Sequence, residues 1–145
     1  MTETSQLQEV PLAPVQELEH FLNGELRSIA FYRVLAGQFQ GRERQVIFQI
    51  LADERRHLKE LQLEYFMRTG DSFLPEALIP PETGAVLTAL REAFLTENET
   101  ARDYTGASSG RGGELGALYS AIAADEAMHA RRLREIVGRC FTEQA

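Results

Sequence analysis

Two five-residue motifs in this sequence have the composition and spacing of metal ligands: Asp53-Glu54-Arg55-Arg56-His57 and, 72 residues later, Asp125-Glu126-Ala127-Met128-His129. On a helix, a Glu and a His three positions apart project from one face a single turn apart, so both can reach one ion. The same shift of 72 maps Glu25 onto Glu97, Tyr32 onto Tyr104, Gly41 onto Gly113, Leu18 onto Leu90 and Leu61 onto Leu133. The repeat therefore spans most of the chain and brings in two further carboxylates. Glu25, Glu54, His57, Glu97, Glu126 and His129 together make the ligand set of a paired metal site. Mixed carboxylate and imidazole ligation suits iron or manganese, whereas zinc takes fewer ligands and calcium avoids imidazole. The expectation is two Fe ions per chain, with Mn as the alternative.

These groups need helices to hold them. From Ala13 onward, Leu18, Phe21 or Leu22, Glu25, Ile29, Tyr32, Leu35 or Ala36 and Phe39 recur at three- and four-residue spacing, which predicts a helix with a carboxylate inside its apolar stripe. Such a carboxylate is costly unless a cation, a proton or solvent compensates it. A second helix from about Arg42 to Arg68 carries Ile47, Ile50, Glu54, His57 and Leu61 inward. A third carries Leu87, Leu90, Phe94, Glu97, Ala101 and Tyr104, ending in the glycine-rich 106–113 segment. The fourth carries Leu115, Tyr119, Ile122, Glu126, His129, Leu133, Ile136 and Cys140. Residues 70–84 hold three of the five prolines and no sustained period, so they read as an ordered connection. They are long enough to run along a bundle, where a hairpin turn needs only a few residues. Glu25 and His57 are equidistant from Gly41, and Glu97 and His129 from Gly113. Antiparallel pairing about those glycines sets each Glu level with its Glu-x-x-His partner, about 24 Å from the turn at about 1.5 Å per residue. Packing the two hairpins together gathers all six groups in one layer.

The composition fits one globular domain: 145 residues, 43% hydrophobic and 26% charged, enough to bury a core. A formal charge of -7 argues against nucleic acid or an anionic membrane surface as partner, since both need clustered Lys and Arg. It suits a cation binder. No stretch approaches the ~20 apolar residues of a membrane span, and the first twelve residues lack the basic start and apolar run of a secretion signal. A single cysteine, Cys140, leaves no intrachain disulfide framework and no Cys-x-x-Cys metal site, so a cytoplasmic location is expected. The divisions read as a loose N-terminal arm over 1–12, the helical domain over 13–140 and a C-terminal tail over 141–145.

A Glu from each of two helices with Glu-x-x-His from each of the other two is the arrangement of ferritin-like carboxylate dimetal proteins. Over roughly residues 13–140, through Glu25 to Tyr32, Asp53 to His57, Glu97 to Tyr104 and Asp125 to His129, the chain resembles the diiron domain of the rubrerythrin branch of that superfamily. The resemblance implies an all-α, ferritin-like four-helix bundle, two antiparallel hairpins joined by a long crossover. It implies Glu54 and Glu126 as bridging carboxylates, with Glu25 and His57 completing one metal and Glu97 and His129 the other. Asp53 and Asp125 become acceptors for histidine N–H groups, reaching across to the opposite histidine, which would fix the tautomers. The chain departs from the family at two points. No Cys-x-x-Cys iron domain follows the bundle before Ala145, which implies an external electron donor protein. Thr100 stands where the family carries a further Glu, and Glu99 points about 160° away from the face of Glu97, so the site is expected to be nearly symmetric.

The function this implies is an oxidoreductase that reduces hydrogen peroxide or dioxygen with electrons from that donor. The rival is a non-catalytic iron-binding, oxidation or storage protein of the ferritin type, and the third reading is a metal-free interaction bundle. Tyr32 and Tyr104, two turns past a ligand, are either plain core or bonded through their hydroxyls to ligand carboxylates, the latter preferred. His20, roughly 140° around the helix from Glu25, reads as a surface residue, Cys140 as buried filler, and Arg55 and Arg56 as a solvated face. The resemblance, with Phe66, Phe73, Leu74 and Ile79 in or near the crossover, is consistent with a homodimer.

Overall fold

The computed structural model describes residues 14–79, 81–82 and 84–144, so the expected arm over 1–12 lies outside the described residues. The described residues form four helices: α1 (Pro14–Ala36), α2 (Gly41–Thr69), α3 (Val86–Ser108) and α4 (Gly113–Gln144). There is no strand among the described residues. Pro14 opens α1 at the position where a missing N–H costs nothing, with Glu17 in the first turn and Arg33 in the last, each complementing the helix dipole. Gly41 and Gly113, the repeat-related residues, open α2 and α4 at φ 60° and 76°. That left-handed conformation is where a side chain would be strained, so glycine at both positions lets the chain reverse within the 37–40 and 109–112 connections. Gly70, also left-handed, closes α2 and donates its N–H to the Phe66 carbonyl at 2.7 Å.

The sequence reading ends the last helix near residue 140 and leaves 141–145 as a tail. The structure continues α4 to Gln144. Phe141 to Gln144 contain neither Gly nor Pro, and nothing in them interrupts the hydrogen-bond ladder once it is running.

α1 packs on α2, α3 packs on α4, and α2 also meets α4, an arrangement compatible with a four-helix bundle. Buried side chains fall into two clusters. One gathers Ile29, Leu35, Ile47, Ile50, Leu90, Leu133 and Ile136; the other gathers Leu18, Phe21, Leu22, Leu61, Tyr104, Tyr119 and Ile122. Along every helix the candidate ligands lie between a residue of one cluster and a residue of the other. α1 and α4 run from the second cluster to the first, and α2 and α3 from the first to the second. The connection from residue 70 to 85 leaves α2 beside the second cluster, where Phe73 packs edge-on against Tyr65. The Glu76 N–H then donates to the Asn23 side chain of α1, and α3 begins with Val86 against the first cluster. Phe66, Leu74 and Ile79 are exposed, while Phe73 is half-buried. No described helix is long and apolar enough to cross a membrane.

Candidate metal centre

All six residues singled out by the repeat are buried together: Glu25, Glu54, His57, Glu97, Glu126 and His129 are each exposed by 2% or less. They form two groups in which one ligand atom per residue lies within 4.8 Å of the others. Glu25, Glu54, His57 and Glu126 make one group, and Glu54, Glu97, Glu126 and His129 make the other. Glu54 and Glu126 belong to both. The His57 Nδ1 stands 3.3 Å from Glu25 Oε1, 3.5 Å from Glu54 Oε1 and 3.3 Å from Glu126 Oε1. The His129 Nδ1 stands 3.3 Å from Glu54 Oε1 and 3.6 Å from both Glu97 Oε2 and Glu126 Oε1.

The other ring nitrogen of each histidine is taken. His57 Nε2 lies 2.8 Å from Asp125 Oδ2, and His129 Nε2 lies 2.8 Å from Asp53 Oδ2. Each aspartate thus holds the histidine of the opposite motif, orienting Nδ1 toward the centre. The tyrosines cross in the same way: Tyr32 in α1 donates its hydroxyl to Glu97 Oε1 at 2.6 Å, and Tyr104 in α3 donates to Glu25 Oε1 at 3.1 Å. Phe21 stacks on the Tyr104 ring with centroids 3.9 Å apart, which fixes that hydroxyl. Burial pushes both phenols well above their ordinary range, with Glu97 next in effect for Tyr32 and Glu25 for Tyr104. They remain hydrogen-bond donors.

Seven buried atoms of the six residues have no hydrogen-bond partner: Nδ1 of both histidines, Oε2 of Glu25, both oxygens of Glu54, Oε2 of Glu97 and Oε1 of Glu126. Buried polar atoms are nearly always paired. So many orphans converging on one small volume fit a site for cations, because carboxylate oxygens and a ring nitrogen are donors to metals. The charges agree, since two divalent ions would cancel four carboxylates. Protons can hold the same cluster. Burial raises the Glu25 carboxyl to about 8, assisted by the adjacent Glu54 carboxylate, and raises Glu126 well above its ordinary range for the same two reasons. Burial would raise Glu54 as well, but the nearby His129 and His57 rings outweigh it and hold this carboxyl far below its usual range. Burial opposes the charged form of His57, yet Glu25 and Glu54 lift the ring to about 11. Glu54 and Glu97 do the same for His129, to about 10.

One contributor is absent from the sequence reading. Arg56, assigned there to a solvated face, is 52% exposed but donates to Asp53 at 3.0 Å and to Asp125 at 2.7 Å. It joins the two aspartates that hold the two histidines. The three-residue spacing from Asp53 to Arg56 signals half of this, whereas the Asp125 contact spans 69 positions and leaves no local trace. Arg55 and His20 are exposed, as expected, and Cys140 is only half-buried at the edge of the first cluster. Thr100 is half-buried and Glu99 exposed; neither belongs to the two ligand groups. Comparison with known proteins finds no match for this chain among family profiles, curated proteins or solved structures.

Proposed function

We propose that this chain is a dimetal carboxylate protein of the ferritin-like, rubrerythrin type, holding two iron ions and reducing hydrogen peroxide or dioxygen with electrons from an external donor. The observation that carries the reading is the pair of overlapping ligand groups sharing Glu54 and Glu126, with orphaned donor atoms turned to one another. The order of the two clusters along the helices supports the finer topology: α1 with α2 and α3 with α4 as antiparallel hairpins, joined by a crossover along the bundle. Two ferrous ions held there would supply two electrons to a small oxidant.

The residues around the ions have separable tasks. Glu54 and Glu126 would bridge, Glu25 with His57 and Glu97 with His129 would complete the two ends, and Asp53 and Asp125 keep each histidine Nδ1 free to ligate by engaging Nε2. Tyr32 and Tyr104 hold protons on Glu97 Oε1 and Glu25 Oε1. Those contacts place a donor beside each terminal carboxylate and limit its movement. The apolar clusters flank the layer along the helices on both sides, and that low-dielectric surrounding strengthens its electrostatics.

The test is elemental analysis of iron-reconstituted protein followed by mixing of the reduced form with peroxide. Two iron ions per chain, one fast oxidation and continued peroxide consumption only with a reductase system present are expected. Well under one metal per chain sinks the metal reading. Indifference to peroxide, with oxidation and retention of ferrous iron beyond two per chain, establishes the storage alternative instead.

A further inference from the structure

A cavity of about 490 Å³ lies between α1 and α3, bordered also by Leu78, Ile79 and Pro81 of the connection, and reaches the metal layer at one point, with Glu25, Tyr32 and Tyr104 in its wall. Small residues make the gap. Gly24 and Ser28 on α1 face Thr96 and Thr100 on α3, where closely packed helices carry bulky side chains. A Cβ placed on Gly24 would meet only the Arg27 guanidinium, at 3.8 Å. Glu92, Glu99 and Asp103, on the same side of α3, add three carboxylates to the lining against the single cation of Arg27, and all four are exposed. Glu25 is 2% exposed and its Oε2 has no partner.

We propose that this cavity is the route by which hydrated divalent cations reach the metal pair, with Glu25 the first ligand they meet. The proposal rests on the metal reading above. Three features favour a cation over other traffic. The volume would hold roughly sixteen waters at about 30 Å³ each, room for an ion with its hydration shell. The net charge of the outer lining is negative, and the apolar walls given by Phe21, Phe31, Ala30 and Ala93 focus that field instead of screening it. The route ends on an unpartnered carboxylate oxygen, which can replace the first water lost by the ion. A symmetric site would have two such doors, but neither Glu97 nor His129 lines this cavity. Filling therefore starts from the Glu25 and His57 end.

The chain has four tyrosines and no tryptophan, so quenching of tyrosine emission on mixing metal-free protein with Co2+ reports arrival at the site. Gly24→Leu projects into the open gap and exchanges a helix-interior glycine for a strong helix former, so it is designed to fold. It should slow uptake at least tenfold while two Co2+ per chain are still bound at equilibrium. Glu99→Gln with Asp103→Asn should slow uptake severalfold at low ionic strength and not in 1 M salt, as expected of a steered cation. This pair also stands as the test should the leucine variant not fold. Wild-type rates in the leucine variant would overturn the route, and a slowed leucine variant with wild-type rates in the neutralised pair would overturn its assignment to cations. Uptake of less than one Co2+ by the unmodified protein would instead be a failure of the metal reading itself.

Discussion

Leu133 and His129 sit one turn apart on α4 and are both fully buried, yet their places in the core depend on different things. Leu133 is held by apolar neighbours, and its contribution is the same whatever the solution contains. His129 lies in a layer of six ionisable groups whose charges must be balanced, either by protons or by metal. The same contrast runs through the whole molecule: two apolar clusters whose stability is built in, and between them a slab whose charges protons or cations must balance. A bundle needing only a core would gain by filling that slab with leucine, since buried ion pairs rarely repay their desolvation.

The largest expected difference between the two regions comes from deleting one group in each. If the layer holds two ions as proposed, free metal a thousandfold above its dissociation constant adds about 4 kcal/mol for each, so about 8 kcal/mol for the pair. Glu54 belongs to both ligand groups, and Glu54→Ala is predicted to abolish nearly all of that gain. Leu133→Ala is predicted to cost about 2 to 5 kcal/mol, equally with Co2+ and with chelator. Denaturant unfolding under both conditions measures the two. Equal losses for Glu54→Ala with and without metal would erase the distinction.

Changing pH should separate the regions next, because the layer gathers six ionisable groups and the clusters are mainly apolar. Without metal, His57 and His129 have folded values of about 11 and about 10, above the ordinary histidine value, and a raised base stabilises fully below that ordinary value. Their contribution should be lost as pH rises toward 10 to 11. Glu25, raised to about 8, also binds its proton more tightly when folded, so its effect has the same sign between the ordinary carboxyl range and 8. Glu54 is shifted downward, and its stabilisation should be lost on acidification. Metal-free protein should therefore be most stable in mild acid, whereas apparent metal affinity should rise with pH as ions displace these protons. Unfolding curves from pH 5 to 10, with chelator and with Co2+, should diverge as pH increases; parallel curves would show that the layer is not held by protons.

How far this contrast can be read from sequence depends on the periodicity of its parts. The four helices and the six-residue layer were legible because the repeat marks them twice and because carboxylates interrupt apolar stripes where they have no local reason to be. The bonding of the Tyr32 and Tyr104 hydroxyls to ligand carboxylates is the preferred reading of their stripe positions; that each crosses to the other half's carboxylate needs coordinates. The end of α4 is not legible because a breaker-free segment such as 141–144 satisfies both helix and tail. Arg56 was missed for a different reason. An arginine beside a motif looks the same whether it faces water or an aspartate on another helix. Nor does spacing show the gap between α1 and α3, which arises from small residues on two helices remote in sequence.

A finer comparison is available within the layer. Tyr32 holds Glu97 at 2.6 Å, and Tyr104 holds Glu25 at 3.1 Å. Removing either hydroxyl leaves a buried carboxylate oxygen without its donor, at about 1 to 3 kcal/mol. Tyr32→Phe is predicted at the upper end and Tyr104→Phe at the lower. Metal-free unfolding of the two variants tests the order, and the reverse order would show that the shorter contact is not the stronger one.

The smallest effect concerns Arg56, at one of the two positions where the motifs differ. Arg56 corresponds to Met128, 72 positions later, so a single arginine serves both aspartates. Half of it is exposed, and exposed ion pairs contribute about 1 kcal/mol or less. Arg56→Met, which gives both motifs the same residue, is therefore predicted to change metal-free stability by about 0.5 kcal/mol. Its effect on the layer should be of another kind. The Asp53 carboxyl is desolvated, which would raise it, but His129 and then Arg56 draw it below its ordinary range. Without the arginine, Asp53 and Asp125 should pull harder on the protons of His129 and His57, and each imidazole should become a more basic ligand. Titration with Co2+ should then show tighter binding together with slightly lower stability of the metal-free protein. If the variant loses metal affinity instead, Arg56 acts mainly by keeping the two aspartates in place.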